Sequence, residues 1–96
     1  MVRIFQIEDF EFKVGSSARE NWEIVKAAQP QDLWFHLDSV SSASGILSHP
    51  SNIKIPKNVF SQAKLIFQSL QNKQGKIITR KRSQITLGDK VGTFNI

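Results

Sequence analysis

Two periods, one of two residues and one of three to four, take turns along this chain, and their order predicts its elements. "VRIFQI" (2–7) is β-branched and aromatic, which predicts a strand. "FEFKV" (10–14) alternates strictly, with Phe10, Phe12 and Val14 on one side and Glu11 and Lys13 on the other. Only Glu8 and Asp9 separate the two runs, so an antiparallel hairpin is expected. Gly15 follows, where the chain must turn. At "SARE" (17–20) the period lengthens. Ser17 and Glu20 form a capping box that opens a helix running to about Ala28, before Pro30. Ala18, Trp22, Val25 and Ala28 make its apolar stripe, with Ile24 beside them and Arg19 and Glu23 on the exposed side.

"DLWFHLD" (32–38) returns to strand alternation. Leu33, Phe35 and Leu37 share a core face, while Asp32, Trp34, His36 and Asp38 share the other. A small-residue loop, "SVSSASG", leads to a short strand around "GILSH", and "HPSNIKIP" is an extended connection. Pro56 marks the start of the clearest amphipathic helix, in which Val59, Phe60, Ala63, Ile66, Phe67 and Leu70 fall at helical intervals. "KIITRKRSQITL" reads as a strand or hairpin, "LGDK" as a turn and "VGTFNI" as a closing strand. The order ββαββαβ(β)β predicts an α+β fold: a mixed or mostly antiparallel sheet with both helices packed on one face and the second face free. With no repeat or linker, residues 1–96 form a single domain.

Composition narrows the class. Hydrophobic content of 40% and charge of 22% suit a globular domain, and the absence of cysteine excludes a disulfide framework and suits a reducing, cytoplasmic setting. No run reaches membrane-span length, and "MVRIFQIEDF" has no secretory pattern. The net charge of +5 conceals an asymmetry. Residues 1–48 hold four Lys/Arg and seven Asp/Glu, a balance of −3, whereas residues 49–96 hold nine Lys/Arg and only Asp89, a balance of +8. Such a basic half suits a polyanionic partner or a solubilising surface.

Chemistry-bearing motifs are few. There is no nucleophile elbow, phosphate-cradling glycine loop or zincin motif, and the chain is expected to be non-catalytic and to carry no cofactor. Asp32, His36 and Asp38 could ligate a metal only with His49 completing the set. Two readings of Trp34 stand side by side. In one it packs under a second layer, with His36 on a backbone carbonyl and Asp32 capping the turn after Pro30. In the other it faces solvent as a base-stacking platform with His36 beside it. "RKR" (80–82) also has two readings. Arg80 and Arg82 on one strand side could straddle a phosphate, with Lys81 and Lys90 as further backbone contacts; the cluster could equally be a charged edge that blocks aggregation.

Residues 14–47, "VGSSARENWEIVKAAQPQDLWFHLDSVSSASGIL", resemble the opening of the NFACT RNA-binding module of ribosome-quality-control proteins and their stand-alone relatives. The shared pattern is Gly15, Ala18, Arg19 and Asn21, then Asp32, Trp34 and His36, then the loop Ser41 to Ser44. "IPKNVFSQAKLIF" and "QITLGDKVGTFNI" are similar to the module's second helix and closing strands. The resemblance implies RNA contact, to tRNA or rRNA, in translation and ribosome rescue. It makes Arg19, Asn21, Asp32, Trp34 and His36 candidate site residues. Ser44 stands where the family has histidine. The family's large N-terminal domain and coiled coils have no counterpart here, so tRNA-dependent tail synthesis is not implied. The rival expectation is a protein-interaction module docking on a ribosomal or other protein; DNA binding and metal-dependent hydrolysis rank below it.

Overall fold

The computed structural model describes residues 1–38, 42–48, 54–71 and 75–96. Strands β1 (Arg3–Ile7), β2 (Phe10–Val14), β3 (Leu33–Leu37), β4 (Gly45–Ser48) and β5 (Ile77–Lys81) form one sheet in the order β1-β2-β4-β3-β5. Every neighbouring pair is antiparallel. The fold is therefore α+β, with helices α1 (Ala18–Ala27) and α2 (Lys57–Ser69). The β1–β2 turn is as tight as expected, with Glu8 in the left-handed region at φ 53°.

Local chemistry explains the helix ends. Ser17 Oγ accepts from the Glu20 N–H at 3.2 Å. The Glu20 carboxylate reaches back past the cap to Ser16, accepting from its N–H at 3.0 Å and its hydroxyl at 2.7 Å. Those two bonds and the nearby Met1 ammonium hold the Glu20 pKa down to about 2. Pro56 sits at the N-cap of α2, where its missing N–H costs nothing. Helix α2 buries Val59, Ala63 and Phe67 of the predicted stripe, with Phe60, Ile66 and Leu70 half-buried at its margins.

The two helices do not share a face, which corrects the expected arrangement. Phe12, Phe35, Leu37 and Leu47 pack with Val59, Ala63 and Phe67 of α2. Trp34 and Ile46, their immediate chain neighbours, pack with Ile24 and Val25 of α1 on the opposite side. Adjacent apolar residues in β3 and β4 place grease on both faces, so the sheet needs a layer on each. The buried face of α1 is Asn21, Ile24 and Val25. Ala18, expected in the stripe, is exposed, and Trp22 is only half-buried.

The C-terminal segment differs too. After β5 the chain makes a 3-10 turn at Arg82–Gln84, and β6 (Thr86–Leu87) pairs with β7 (Phe94–Asn95) as a separate two-stranded ribbon. That ribbon lies on the α1 side, where Phe94 meets Trp34 and His36. Gly92 in its loop has φ 87° and sits so close to α1 that a Cβ there would stand 2.5 Å from the Ala18 Cβ. Together α1 and the ribbon make the second layer that closes over Trp34.

Candidate functional site

The motif residues Asn21 and Trp34 converge on Ser44, and the result is a polar knot inside the core. Trp34 is 1% exposed and its Nε1 donates to Ser44 Oγ at 3.1 Å. Asn21, 6% exposed, accepts from the Ser44 N–H at 3.0 Å through Oδ1. The Gly15 N–H donates to the Ser44 carbonyl at 3.0 Å, and a Cβ at Gly15 would collide with the Asn21 side chain. Burial of these polar groups is tolerated because each has a partner. The solvent-facing expectation for Trp34 is thereby corrected: a base cannot stack on a ring enclosed by α1 and Phe94. Asn21 is likewise withdrawn from solvent. Ser44 is sealed in the core as the acceptor for the indole.

Asp32 is also structural. It is 2% exposed, and its Oδ2 accepts from the Gln29 N–H at 2.9 Å, closing the turn after α1. Its carbonyl accepts from the Arg82 N–H at 2.7 Å. Buried and engaged in this way, Asp32 is not a surface contact. No group of three or more Asp, Glu or His side chains among the described residues is placed to hold a metal ion, and His49 lies outside those residues.

His36 occupies the boundary between core and surface. Its ring stacks on Trp34 with centroids 5.1 Å apart and 16° between planes. Nδ1 lies 2.8 Å from the Leu37 carbonyl, which can only accept, so Nδ1 carries the proton and the neutral ring keeps its lone pair on Nε2. Burial pushes its pKa below the ordinary value, partly offset by that carbonyl. A cleft of about 360 Å³ opens beside it, lined by Asp38, Ile78, Thr93 and Phe94 among others.

The basic residues divide. In the β3–β5 register Trp34 opposes Arg80 and His36 opposes Ile78, so Arg80 and His36 project from the same face of the sheet. Arg80 is exposed, its guanidinium touching only the Thr79 carbonyl at 2.8 Å among the described residues. Lys81 is exposed on the opposite face, and Lys90 is exposed in the ribbon loop. Arg82 departs from expectation. Its Nε donates to the Val25 carbonyl at 2.6 Å and its Nη1 to the Ile85 carbonyl at 3.0 Å, so the guanidinium ties the last turn of α1 to the ribbon. Held in that way, it does not straddle a phosphate with Arg80. Arg19 is exposed on α1.

Sequence periodicity missed one surface group. Trp22, assigned to the core, is the more exposed tryptophan: its Nε1 donates to the Thr93 carbonyl at 2.9 Å, and the Lys26 ammonium lies 5.1 Å from its ring centroid. The adjacent pair Ile24–Val25 was the available signal, because burying both rotates Trp22 towards the rim of the helix face.

No family model matches the chain, and no curated protein matches it. Among solved structures, the fold is similar to the C-terminal part of the fibronectin/fibrinogen-binding protein from Streptococcus suis, with a TM-score of 0.77 and 16% identity. The match covers 98% of this chain and 40% of that one. The chain thus spans well under half of its structural neighbour, and the likeness at this identity establishes a shared fold.

Proposed function

We propose that this chain is a small, non-catalytic RNA-binding module of the NFACT-R kind, acting on ribosome- or translation-associated RNA in the cytoplasm. The observation that carries the reading is a set of exposed cations without carboxylate partners among the described residues. The ion pairs among the described residues are Met1–Glu20 and Lys13–Glu11, which leaves Arg19, Arg80, Lys81 and Lys90 unmatched. Unpaired surface cations keep their attraction for a phosphate backbone. The charge of the second half and the resemblance of residues 14–47 to the module support the same reading. With Trp34, Asp32 and Asn21 internal, the contact is made by cations holding the backbone rather than by the buried motif.

Anisotropy of a labelled single-stranded RNA, titrated at several salt concentrations, tests this. Each phosphate contact contributes a slope of about −0.7 in log K against log salt on single strands. Replacing Arg80 and Lys81 by Ala should therefore flatten the slope by roughly 1.4. A wild-type chain without salt-dependent RNA binding would sink the reading.

A protein-docking role is the second reading, favoured by one feature. Strand β1 is an edge of the sheet, unpaired on its outer side among the described residues, and Ile4 on it is 59% exposed. A partner retained after nuclease treatment and lost in Ile4→Lys would support it.

A further inference from the structure

We propose that Trp22 is a base-stacking platform for single-stranded RNA, framed by Arg19, Lys26 and Lys90. The inference rests on the RNA-binding reading and assigns it a surface. Arg19, Trp22 and Lys26 follow one another at three and four residues along α1, so they form one stripe on its outer side. The ribbon brings the backbone of Lys90 near Trp22 from the far end of the chain, by way of Thr93. Trp22 Nε1 bonds the Thr93 carbonyl, and Thr93 in turn donates to the Lys90 carbonyl through its N–H at 3.0 Å and its Oγ1 at 2.6 Å.

The chemistry of this patch fits a nucleic-acid strand better than a plain solvated surface. Its one aromatic is anchored by the indole N–H, which fixes the ring while leaving it only half-buried. Lys26 lies over the ring, 5.1 Å from its centroid, a cation that a stacking base displaces towards the phosphates. Aromatic faces accept any base, so recognition here is tolerant of sequence and sensitive to salt. Arg80 projects from the same side of the sheet as α1. Glu23, also exposed on α1, is the unfavourable neighbour.

The arrangement also separates the two tryptophans as reporters. Iodide should reach the half-buried Trp22 and not the enclosed Trp34, so the quenchable emission of the wild-type chain is expected to belong to Trp22. Bound single-stranded RNA should protect that emission from iodide. Trp22→Leu should weaken binding by about 5- to 150-fold, the range of one stacked base. Lys26→Ala with Lys90→Ala should flatten the salt slope by roughly 1.4, and Glu23→Gln should tighten binding. RNA that binds with the expected salt dependence, yet leaves iodide quenching and the Trp22→Leu affinity unchanged, would overturn this surface while leaving the RNA-binding reading intact. Absence of RNA binding by the wild-type chain would overturn both. Protection by an acidic polypeptide but not by RNA would mark the patch as a protein interface and also overturn it.

Discussion

The two faces of the sheet are covered by different means. On the α2 side the helix packs on a cluster of apolar side chains, with Phe12 set edge-on to Phe35 at 5.1 Å and to Phe67 at 6.4 Å. On the α1 side the cover is composite: a helix, a 3-10 turn and a two-stranded ribbon, laced by Trp34–Ser44, Asn21–Ser44 and Arg82–Val25 hydrogen bonds. The first face is a packing problem that many apolar residues of the right volume solve. The second depends on specific donors and acceptors, because an unmatched buried polar group costs far more than a matched one contributes.

Conservative substitutions should sharpen that difference most. Trp34→Ala and Phe35→Ala should each cost about 3–5 kcal/mol, read from denaturant midpoints, since both empty a closed core. The milder pair distinguishes the faces. Phe35→Leu should be comparatively mild, whereas Trp34→Phe loses the donor to Ser44 as well as volume, adding roughly 1–3 kcal/mol for the stranded polar group. Equal costs for Phe35→Leu and Trp34→Phe would break the comparison.

This asymmetry also decides what was legible in the sequence. Residues that pack within one period were readable: the β1–β2 hairpin, the stripe of α2 and the alternation of β3. The side on which α1 lies was not, because it is fixed by partners remote in sequence. Periodicity places Trp34 opposite Phe35 but cannot say that Phe94, sixty residues on, will cover it. One local signal was available. Ile46–Leu47 and Trp34–Phe35 are adjacent apolar pairs in strands, and such pairs imply burial on both faces. The candidate site followed the same rule. Resemblance selected Asn21, Asp32 and Trp34, which the fold uses to hold itself together. Arg19, Arg80, Lys81 and Lys90 remain at the surface, while Trp22 emerges there only once the helix is rotated correctly.

A smaller effect separates neighbours in the basic cluster. Arg82→Met should cost about 1.5–3 kcal/mol, since it removes two charge-assisted bonds that tie α1 to the ribbon. Lys81→Met, one position earlier on an exposed edge, should lie within about 0.5 kcal/mol of wild type. Their effects on RNA should be reversed: the salt slope falls with Lys81→Met and holds with Arg82→Met, provided binding is measured where both are folded. Equal stability losses would mean that the guanidinium does not carry the α1 side.

The smallest expected effect tests the rim of that same face. His36 is held below its ordinary pKa chiefly by burial against Trp34, so the unfolded chain takes up a proton at higher pH than the folded one. Stability from this group is complete above the unfolded value and is lost as pH falls through the folded one; the loss should begin near pH 6.5. Glu20, lowered from 4.5 to about 2, loses its own contribution as pH falls from about 4.5, below most of that range. His36→Phe removes the titrating group while keeping an aromatic ring on Trp34, so it should flatten the rise in denaturant midpoint between about pH 5 and 7. A variant with the same pH slope as wild type would mean that the imidazole is solvated in the folded chain, and that the closed layer over Trp34 ends before it reaches His36.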